Sequence, residues 1–339
     1  MKITSKHIAE QLGISQSTVS LALRNDPRIK DETRKRIMET ADRLGYTPNL
    51  VSRSLVSGKT QTIAVLAAFK IFEHTGRMLS GMAQAAQEQG YTIKLMILEG
   101  KTDLSDTIKQ CLANRVAGVI GISIRPKSAV QITQMLDQHQ TPLVLLDSNA
   151  PEMACHHVLS DDKMGSHQAA EHLIGLGHRN LAVLTGHMDS SVTKRRTKAF
   201  WEKAAELLGD PAMPKPTELA YHINDVADHK TRALLNSLPR PTALFCTTDF
   251  MAAVALRVAR SMGLLIPQDI SIVGYGNLII SELTDPALTT VDEPFTQMGF
   301  AAMSTVLNSA KCEQYESMNQ PQEILLPSEL IIRQSTSKV

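Results

Sequence analysis

From Thr62 onward, short apolar runs alternate along the chain with amphipathic segments of helical length. The clearest runs read TIAVLAAF, VAGVIGIS and NLAVLTG, and stretches such as DFMAAVALRVARSMG lie between runs of this kind. Near-continuous apolar strands separated by helices are typical of parallel sheets that are covered on both faces. The strands are too numerous for one compact sheet, so the pattern predicts an α/β fold with two doubly wound parallel-sheet subdomains. Ligands in such folds bind outside the carboxyl ends of the strands.

The first 60 residues lack this strand pattern and predict helices instead. Ile8 and Leu12 share one face of a first helix, which Gly13 ends. Ser15 is placed to cap a second helix, whose Val19 faces inward.

A third helix is expected to follow a short basic loop. Asp31 and Glu32 suit its first turn, where negative charge meets the positive end of the helix dipole. Ile37 and Leu44 line its buried face, and Gly45 is placed to end it. Two helices joined by a tight turn and supported by a third form the helix-turn-helix arrangement.

The second helix begins with Ser15, Gln16, Ser17 and Thr18, which offer little apolar surface for packing. A recognition helix places its N-terminal residues against base edges in the major groove. Gln can form paired hydrogen bonds with adenine, and Ser and Thr reach bases or phosphates. The alternative is an ordinary exposed first turn with a serine cap.

Charge is distributed unevenly along a chain whose net charge is only +1. Residues 1–60 contain 11 Lys and Arg against 6 Asp and Glu, whereas the remainder contains 24 against 28. A polyanion is therefore expected to meet the amino end. The four cysteines are widely spaced without a CxxC pair, which favours buried thiols, and we expect neither a metal nor a cofactor. No apolar run reaches membrane-spanning length and no signal peptide precedes the first helix, so the expected compartment is the cytoplasm.

The segment GYTPNLVSRSLVSGKT joins the helical region to the first strand. Its piece LVSRSLVS has a helical pattern but too few residues to be a stable helix alone. It also places Leu55 in an otherwise polar linker, where an exposed apolar side chain would not stabilise a soluble protein.

The sequence resembles the lactose-repressor (LacI) family of transcriptional regulators over nearly the whole chain. The matching motifs near the amino end are IAEQLGISQSTVSLALRN, RIKDETRKRIMETADRLGYTPN and SRSLVSGKT. Those in the body are HLIGLGHRNLAVLTG, IPQDISIVGYGN and LTTVDEP. The resemblance implies a DNA-binding head, a hinge helix and a periplasmic-binding-protein-like core that dimerises.

The resemblance also implies domain limits. We expect a head at 1–48, a hinge helix and linker at 49–61, and an effector-binding and dimerisation core at 62–339. The chain is expected to cross between subdomains near Asp161, Asp292 and Glu323. The N-subdomain would comprise about 62–160 and 293–322, and the C-subdomain about 161–292 and 323–335.

By resemblance, Gln16, Ser17 and Leu21 occupy the family's base-reading positions. Leu21 can contact a thymine methyl but cannot read guanine through paired hydrogen bonds. Leu55 matches the leucine that wedges into the minor groove at the operator centre. The rest of the predicted DNA-binding set comprises residues expected to contact the DNA backbone, the helix cap Ser15 and the packing residue Tyr46. The expected contacts to the DNA backbone are Thr4, Thr18, Ser20, Arg28, Thr33, Asn49 and Ser52.

The resemblance places a small-molecule effector between the two subdomains. Arg196 in KRRTKAF holds the spacing of the family's ligand-binding arginine, whose planar fork pairs with carboxylate, phosphate or vicinal hydroxyls. Asp147 follows PLVLL, where the family often has a ligand-facing acid, although a surface ion pair is an equally good interpretation. Phe72 could form an apolar wall of the site or belong to the core. The full predicted effector set is Ala68, Phe72, Asp147, Arg196, Thr248, Gly276 and Glu293.

Three of these positions depart from the family pattern. Thr248 replaces an asparagine, Gly276 replaces an acid, and Glu293 follows the LTTV motif at the next position but one. Family members that bind sugars use the missing polar groups to discriminate hydroxyls, which argues against a simple hexose effector.

The sequence supports four functions to different degrees. The favoured one is a DNA-binding regulator, expected to be a repressor, that binds a pseudo-palindromic operator as a homodimer under the control of an effector. A variant of it binds DNA without any effector. A cytoplasmic small-molecule binding protein without a DNA function is opposed by the Leu55 segment. An enzyme is opposed by the lack of a phosphate loop, a nucleophile elbow or a paired-carboxylate motif.

Overall fold

A computed structural model describes residues 3–23, 26–46, 60–67, 73–98, 103–124, 126–148, 155–188, 190–220, 224–312 and 321–339. The chain divides into two units, Met1–Thr60 and Gln61–Val339, which are here called the head and the core.

The head contains three helices around a small apolar centre: α1 (Ser5–Leu12), α2 (Gln16–Ala22) and α3 (Asp31–Arg43). Gly13 ends α1 in the left-handed conformation, with φ 65°, which costs glycine little. The side chains buried between the helices are Ile8, Ala9, Val19, Ala22, Ile37 and Ala41. The three helices predicted within residues 1–48, the turn and the inward faces are confirmed, and the predicted hinge helix lies outside the described residues.

The core alternates strands and helices, as its apolar runs predict. Its first half contains β1 (Thr62–Ala67), α4 (Glu73–Glu88), β2 (Thr92–Ile97), α5 (Leu104–Ala113), β3 (Gly118–Ile122), α6 (Pro126–Asp137), β4 (Leu143–Leu146) and β5 (His156–Ser160). Its second half contains α7 (Asp162–Gly175), β6 (Leu181–Thr185), α8 (Ser191–Leu208), β7 (Thr217–Leu219), α9 (Asn224–Leu235), β8 (Ala243–Cys246), α10 (Asp249–Ser261), β9 (Ser271–Gly276), α11 (Ile279–Leu283), β10 (Thr289–Asp292), α12 (Phe295–Lys311), β11 (Glu323–Leu326) and β12 (Glu329–Ile331).

These strands form two six-stranded sheets, one in each subdomain. The first has the order β11-β5-β4-β3-β1-β2 and is parallel throughout. The second has the order β12-β10-β9-β8-β6-β7, in which only the edge strand β12 runs antiparallel to its neighbour. In each sheet the strand order reverses beside the first strand, at β1 and at β6. The carboxyl ends next to that reversal are where open α/β sheets bind ligands.

Helix α12 returns from the second subdomain and packs against α4 on the first sheet. The two backbones cross at Gly81 and Gly299. A Cβ at Gly81 would lie 1.9 Å from the carbonyl oxygen of Thr296, and one at Gly299 would lie 1.9 Å from that of Met78. Only glycine fits at these two positions, because the clashing atoms belong to the facing backbone.

The chain crosses between the subdomains three times, and one crossing differs from the prediction. The first lies at Asp161 and the second directly after Asp292, between a strand of one sheet and a helix on the other. The third was expected near Glu323, but Glu323–Leu326 pairs with β5 of the first sheet, with Leu325 opposite Leu159. The crossing therefore falls between Leu326 and Glu329, four to five residues later. Apolar alternation predicts a strand but cannot say which sheet an edge strand joins.

The C-subdomain also continues past its expected end at residue 335. The amide of Ser337 donates to Ser271 Oγ at 3.0 Å, and the amide of Val339 donates to the carbonyl of Leu176 at 3.2 Å. These bonds hold the last residues against β9 and the end of α7 in the second subdomain. Within the described residues, no helix has the length and apolar character needed to cross a membrane.

Candidate functional site

The first turn of α2 is a polar surface whose cap is as predicted. Ser15 Oγ accepts a hydrogen bond from the Thr18 amide at 3.0 Å and lies 2.6 Å from Ser17 Oγ. The Gln16 amide nitrogen donates to Ser5 Oγ of α1 at 3.0 Å. Ser15, Gln16 and Ser17 are exposed, so the start of α2 presents donors and acceptors to solvent.

The other predicted DNA contacts of the described head also reach its surface. Leu21 is half-buried and does not join the apolar centre of the head, whereas Tyr46 packs against that centre. Thr4 caps α1 in a reciprocal box with His7. The remaining predicted contacts are exposed or half-buried: Thr18, Ser20, Arg28 and Thr33.

Arg28 is engaged by a neighbouring acid. Its Nε and Nη2 donate to the two carboxylate oxygens of Asp26 at 2.9 and 2.8 Å. These bonds, together with the Arg28 amide, lower the pKa of Asp26 to about 2. Arg34 holds the same loop by donating to the backbone carbonyls of Asp26 and Ile29. The predicted residues Asn49, Ser52, Leu55, Ala68 and Phe72 lie outside the described residues.

In the core, two carboxyl strand ends of the first sheet bring Ser123 and Asp147 together. Both residues have left-handed backbones, with φ 51° and 55°. Ser123 Oγ donates to Asp147 Oδ2 at 3.3 Å, whereas Asp147 Oδ1 is buried and accepts no hydrogen bond from the described residues. Strained backbones of this kind cluster at functional sites, and this one fixes the direction of a carboxylate.

Arg196 lies on α8 and is almost fully buried. Its Nε donates to Asp162 Oδ1 at 2.7 Å and its Nη2 donates to Glu293 Oε1 at 2.6 Å. Nη1 donates to the carbonyl of Thr247 at 3.0 Å, and the guanidinium carbon lies 3.8 Å from the ring centroid of Tyr275. The predicted ligand-binding arginine is therefore bonded on three sides to the protein itself.

Asp162 is the partner that the sequence did not reveal. It binds Arg196 with one oxygen, and its other oxygen accepts from Arg195 Nε at 2.8 Å. The preceding residue, Asp161, caps α7 by accepting from the Met164 amide at 2.8 Å. Two adjacent acids at a helix start thus serve different purposes. An acid left over after capping, directly after a buried strand, was the available hint of a buried ion pair.

Burial sets the protonation behaviour of this cluster. Burial raises the pKa of the Asp147 carboxyl, although Arg196 opposes the shift. Burial likewise raises the pKa of Glu293, again against Arg196, and Ser160 Oγ donates to this carboxylate at 3.0 Å. Burial alone would lower the pKa of the Arg196 guanidinium, but the carboxylates of Glu293 and Asp162 outweigh it and raise that pKa. Among the described residues, no group of three or more His, Cys, Asp or Glu is placed to hold a metal ion.

Two further residues of the predicted effector set, Thr248 and Gly276, have structural roles in the polypeptide backbone. Thr248 is the N-cap of α10, and its Oγ1 accepts from the Met251 amide at 3.3 Å. Gly276 ends β9 with φ 122°, a conformation that a side chain would strain. Asp249 is buried beside them and accepts from Thr290 Oγ1 at 2.5 Å and from the Leu278 amide at 2.7 Å. Asp249, the first residue of α10, therefore links β10 to the segment that follows β9.

A second contact between the subdomains was also absent from the sequence interpretation. The Glu73 carboxylate at the start of α4 accepts from the Ile279 amide, the first residue of α11, at 2.9 Å. Arg77 Nη1 donates to the carbonyl of Asn277 at 3.2 Å, and its guanidinium lies over the ring of Phe295. These bonds join a helix of the first subdomain to the loop after β9 in the second.

Comparison with known families and proteins agrees with this architecture. Residues 4–49 match the family model for bacterial regulatory proteins of the lacI family, and residues 170–336 match that for a periplasmic binding protein-like domain. The chain is 29% identical over 342 residues to the HTH-type transcriptional regulator DegA of Bacillus subtilis (strain 168), with 99% of each chain covered. It is 27% identical to the HTH-type transcriptional repressor PurR of Aliivibrio salmonicida (strain LFI1238), with 92% of this chain and 94% of the relative covered.

Among solved structures, the fold resembles that of the lac repressor dimer bound to operator and the anti-inducer ONPF. The TM-score is 0.85 at 23% identity, over 99% of this chain and all of the other. The head therefore has the family's helix-turn-helix, and the core has its periplasmic-binding-like fold. Together these matches show that the chain belongs to the lacI family of bacterial regulatory proteins and is a DNA-binding transcriptional regulator.

Proposed function

We propose that the chain represses transcription by binding a pseudo-palindromic operator as a homodimer, with α2 of each head in the major groove. The observation that carries the proposal is the first turn of α2, which is capped, exposed and rich in hydrogen-bonding groups. The lac repressor structure with the same fold is a dimer on its operator. Two heads related by a twofold axis bind half-sites about one helical turn apart, which requires a pseudo-palindrome.

Within each head, we assign base reading to Gln16, Ser17 and Leu21. Leu21 suits this role because it is an apolar side chain that the head does not use in its own centre. Contacts to the DNA backbone are assigned to Thr4, Ser15, Thr18, Ser20, Arg28, Thr33, Asn49 and Ser52. Tyr46 supports them by packing against the apolar centre of the head. Leu55 is assigned to the minor groove. Arg28 would exchange its exposed bond with Asp26 for a phosphate, since surface ion pairs contribute little to stability.

The core is proposed to bind a small-molecule effector where the carboxyl ends of the two sheets meet. Asp147, Arg196 and Glu293 carry this assignment, because burial and charge are concentrated there, and Ala68, Phe72, Thr248 and Gly276 complete the predicted set. Binding would shift the angle between the subdomains and hence the spacing of the two heads. The bonds that Glu73 and Arg77 make across the subdomains would change with that angle.

A regulator of this class acts on chromosomal DNA, so we place the protein in the cytoplasm and expect no catalytic activity. Its curated relatives are regulators or repressors of transcription. The alternative within the class is a regulator that binds DNA without an effector. It is favoured by one specific observation, the saturation of Arg196 by Glu293 and Asp162.

The test is in-vitro selection of bound genomic fragments at one fixed salt concentration, with and without a metabolite pool. Salt must be fixed because phosphate contacts make affinity strongly dependent on it. We expect a pseudo-palindromic motif whose enrichment changes when the pool is added. A motif that ignores the pool would favour the effector-independent alternative. Enrichment of no motif under either condition would overturn the DNA-reading role of α2.

A further inference from the structure

The charged side chains at the proposed effector site are unequally satisfied. Both oxygens of Asp162 accept from arginines, and Glu293 Oε1 accepts from Arg196 and from Ser160. Asp147 has one long bond to Ser123, and its other oxygen is buried without a partner among the described residues. The acceptor left open at this site is therefore a carboxylate oxygen.

The arginine that could attract an anion is already occupied. Glu293 lies against Arg196 at 2.6 Å in the position that a ligand carboxylate would take, and Tyr275 covers a face of the guanidinium. Displacing Glu293 would leave a buried carboxylate without its counter-charge, which is strongly unfavourable. An anionic effector is disfavoured here for the same reason.

The charge balance points the same way. Three carboxylates, those of Asp147, Asp162 and Glu293, act on one another at this site, and the two guanidiniums beside them belong to Arg195 and Arg196. A ligand with a positive charge beside Asp147 favours the ionised form of this carboxyl, whose pKa burial raises, whereas a ligand with a negative charge opposes it.

One cationic group remains partly open. Arg195 binds Asp162 through Nε, while its Nη1 is buried and donates no hydrogen bond to a described residue. A neutral oxygen of the ligand can accept from Nη1 without the penalty of a second negative charge. The site therefore offers one acceptor that needs a donor and one donor that needs an oxygen.

We propose that the effector is a small organic cation, with a protonated amine that binds Asp147 and a hydroxyl or carbonyl oxygen that binds Arg195. Amino sugars and amino alcohols have this chemistry. The inference rests on the proposed effector site and adds its ligand class. Glu293 then acts as an internal counter-ion that keeps Arg196 in place and excludes acidic metabolites.

Two matched sets of compounds test the charge preference. The first is glucosamine, glucose and glucuronate, and the second is 4-amino-1-butanol, 1,4-butanediol and 4-hydroxybutanoate. Binding of each compound to the full chain is measured by thermal shift and titration calorimetry at constant ionic strength. We expect the amine of at least one set to bind about 10-fold more tightly than its neutral counterpart, and the acid to bind least.

Variants assign the preference to one side chain. Asp147→Asn keeps the size and a hydrogen-bonding oxygen but loses the charge, so the advantage of the amine should fall to about 2-fold or less. The matched control is Asp228→Asn, which removes an acid of a surface ion pair with Arg232 and should leave the preference unchanged. Tighter binding of the acids, or equal binding of all three members in both sets, would overturn the inference. If a metabolite pool still shifts operator binding in that event, the effector site stands and only its ligand class is wrong.

Discussion

The two regions to which we assign DNA binding and effector binding handle their polar groups in opposite ways. At the start of α2, the hydroxyls of Ser15, Ser17 and Thr18 bond to one another and to the helix end, and they remain open to solvent. In the core, Arg196 and its acids are buried and bonded to each other. A surface that must exchange water for DNA keeps its bonds weak and replaceable. A buried charged site must be satisfied before any ligand arrives, because an unpaired buried charge is costly.

The acids of the two regions show the same contrast. Exposed Asp26 has its pKa lowered to about 2 by its bonds with Arg28. Buried Asp249 has its pKa raised to about 6 by desolvation, despite the hydrogen bonds from Thr290 and Leu278. Partner bonds dominate at the surface and desolvation dominates inside. The two regions should therefore respond differently to the loss of one side chain and to pH.

The largest expected effect is that of Asp162→Ala, which removes the shared partner of Arg195 and Arg196. The free energy of unfolding of the core should fall by about 3–5 kcal/mol, because Arg195 loses its counter-charge and the buried Arg196 keeps only one of its two carboxylate partners, Glu293. Trp201 is the sole tryptophan of the chain and is buried in the core, so its fluorescence during urea unfolding gives the measurement.

Asp228→Ala is the control for that substitution, since its ion pair with Arg232 is partly exposed. Surface pairs of this kind contribute about 0–1 kcal/mol. Equal losses in the two variants would mean that the Arg196 cluster contributes no more than a surface pair, and the contrast between the two regions would not hold.

The second effect is on pH dependence, through Asp249→Asn. The pKa of Asp249 is raised from 3.8 to about 6 in the folded core, so its contribution to stability is complete below pH 3.8 and is lost as the pH rises through 6. Since one pKa unit corresponds to 1.36 kcal/mol, the wild-type core should lose up to about 3 kcal/mol through this group between pH 4 and 7. The variant should lack this loss.

Urea unfolding of wild type and variant is measured at pH 4 and at pH 7. The change in the free energy of unfolding between the two pH values is then compared between the two proteins, and the difference is the contribution of Asp249. The other raised acids, Asp147 and Glu293, contribute to both proteins and cancel. Asp26 in the head works in the opposite direction, since its lowered pKa gives stability that is present above pH 3.8 and lost as the pH falls through 2. If wild type and variant differ in free energy of unfolding by the same amount at both pH values, the pKa of Asp249 is not raised in the folded core.

Local features of this fold could be predicted from the sequence, whereas contacts between distant residues could not. The helices of the head and the alternation of the core follow from local periodicity, and Ser15 and Gly13 mark helix ends through their own chemistry. The pairing of Arg196 with Asp162 spans 34 residues, and that with Glu293 spans 97. No local pattern encodes such a contact, because it depends on how the strand ends meet. The third subdomain crossing was misplaced for the same reason, since β11 has neighbours that only the tertiary fold defines.

A third, smaller effect concerns base reading by Gln16→Ala. The side chain is exposed and its only described bond joins the amide nitrogen to Ser5 Oγ, so head stability should change little. Base preference should relax at one or two positions in each half-site, by about 1–3 kcal/mol of discrimination. Selection of bound fragments with the variant gives the motif. Gln11→Ala, an exposed glutamine on α1, is the matched control, and a Gln16→Ala motif identical to that of the wild type would remove Gln16 from the reading set.

The smallest effect separates capping from DNA contact at Ser15. Ser15→Ala removes the acceptor of the Thr18 amide and should lower the stability of α2 by about 1 kcal/mol, together with operator affinity. Ser20→Ala lies in the body of the same helix, where alanine favours helix formation, so it should lower operator affinity without that loss. Amide hydrogen exchange of Thr18 and Val19 measures the stability, and operator titration at fixed salt measures the affinity. Ser15→Asp restores a capping oxygen but repels phosphate, so it should recover the protection of the Thr18 amide while binding the operator least. If Ser15→Ala leaves that protection unchanged, the hydroxyl does not stabilise the helix, and its bond to the Thr18 amide is as replaceable as the others on this surface.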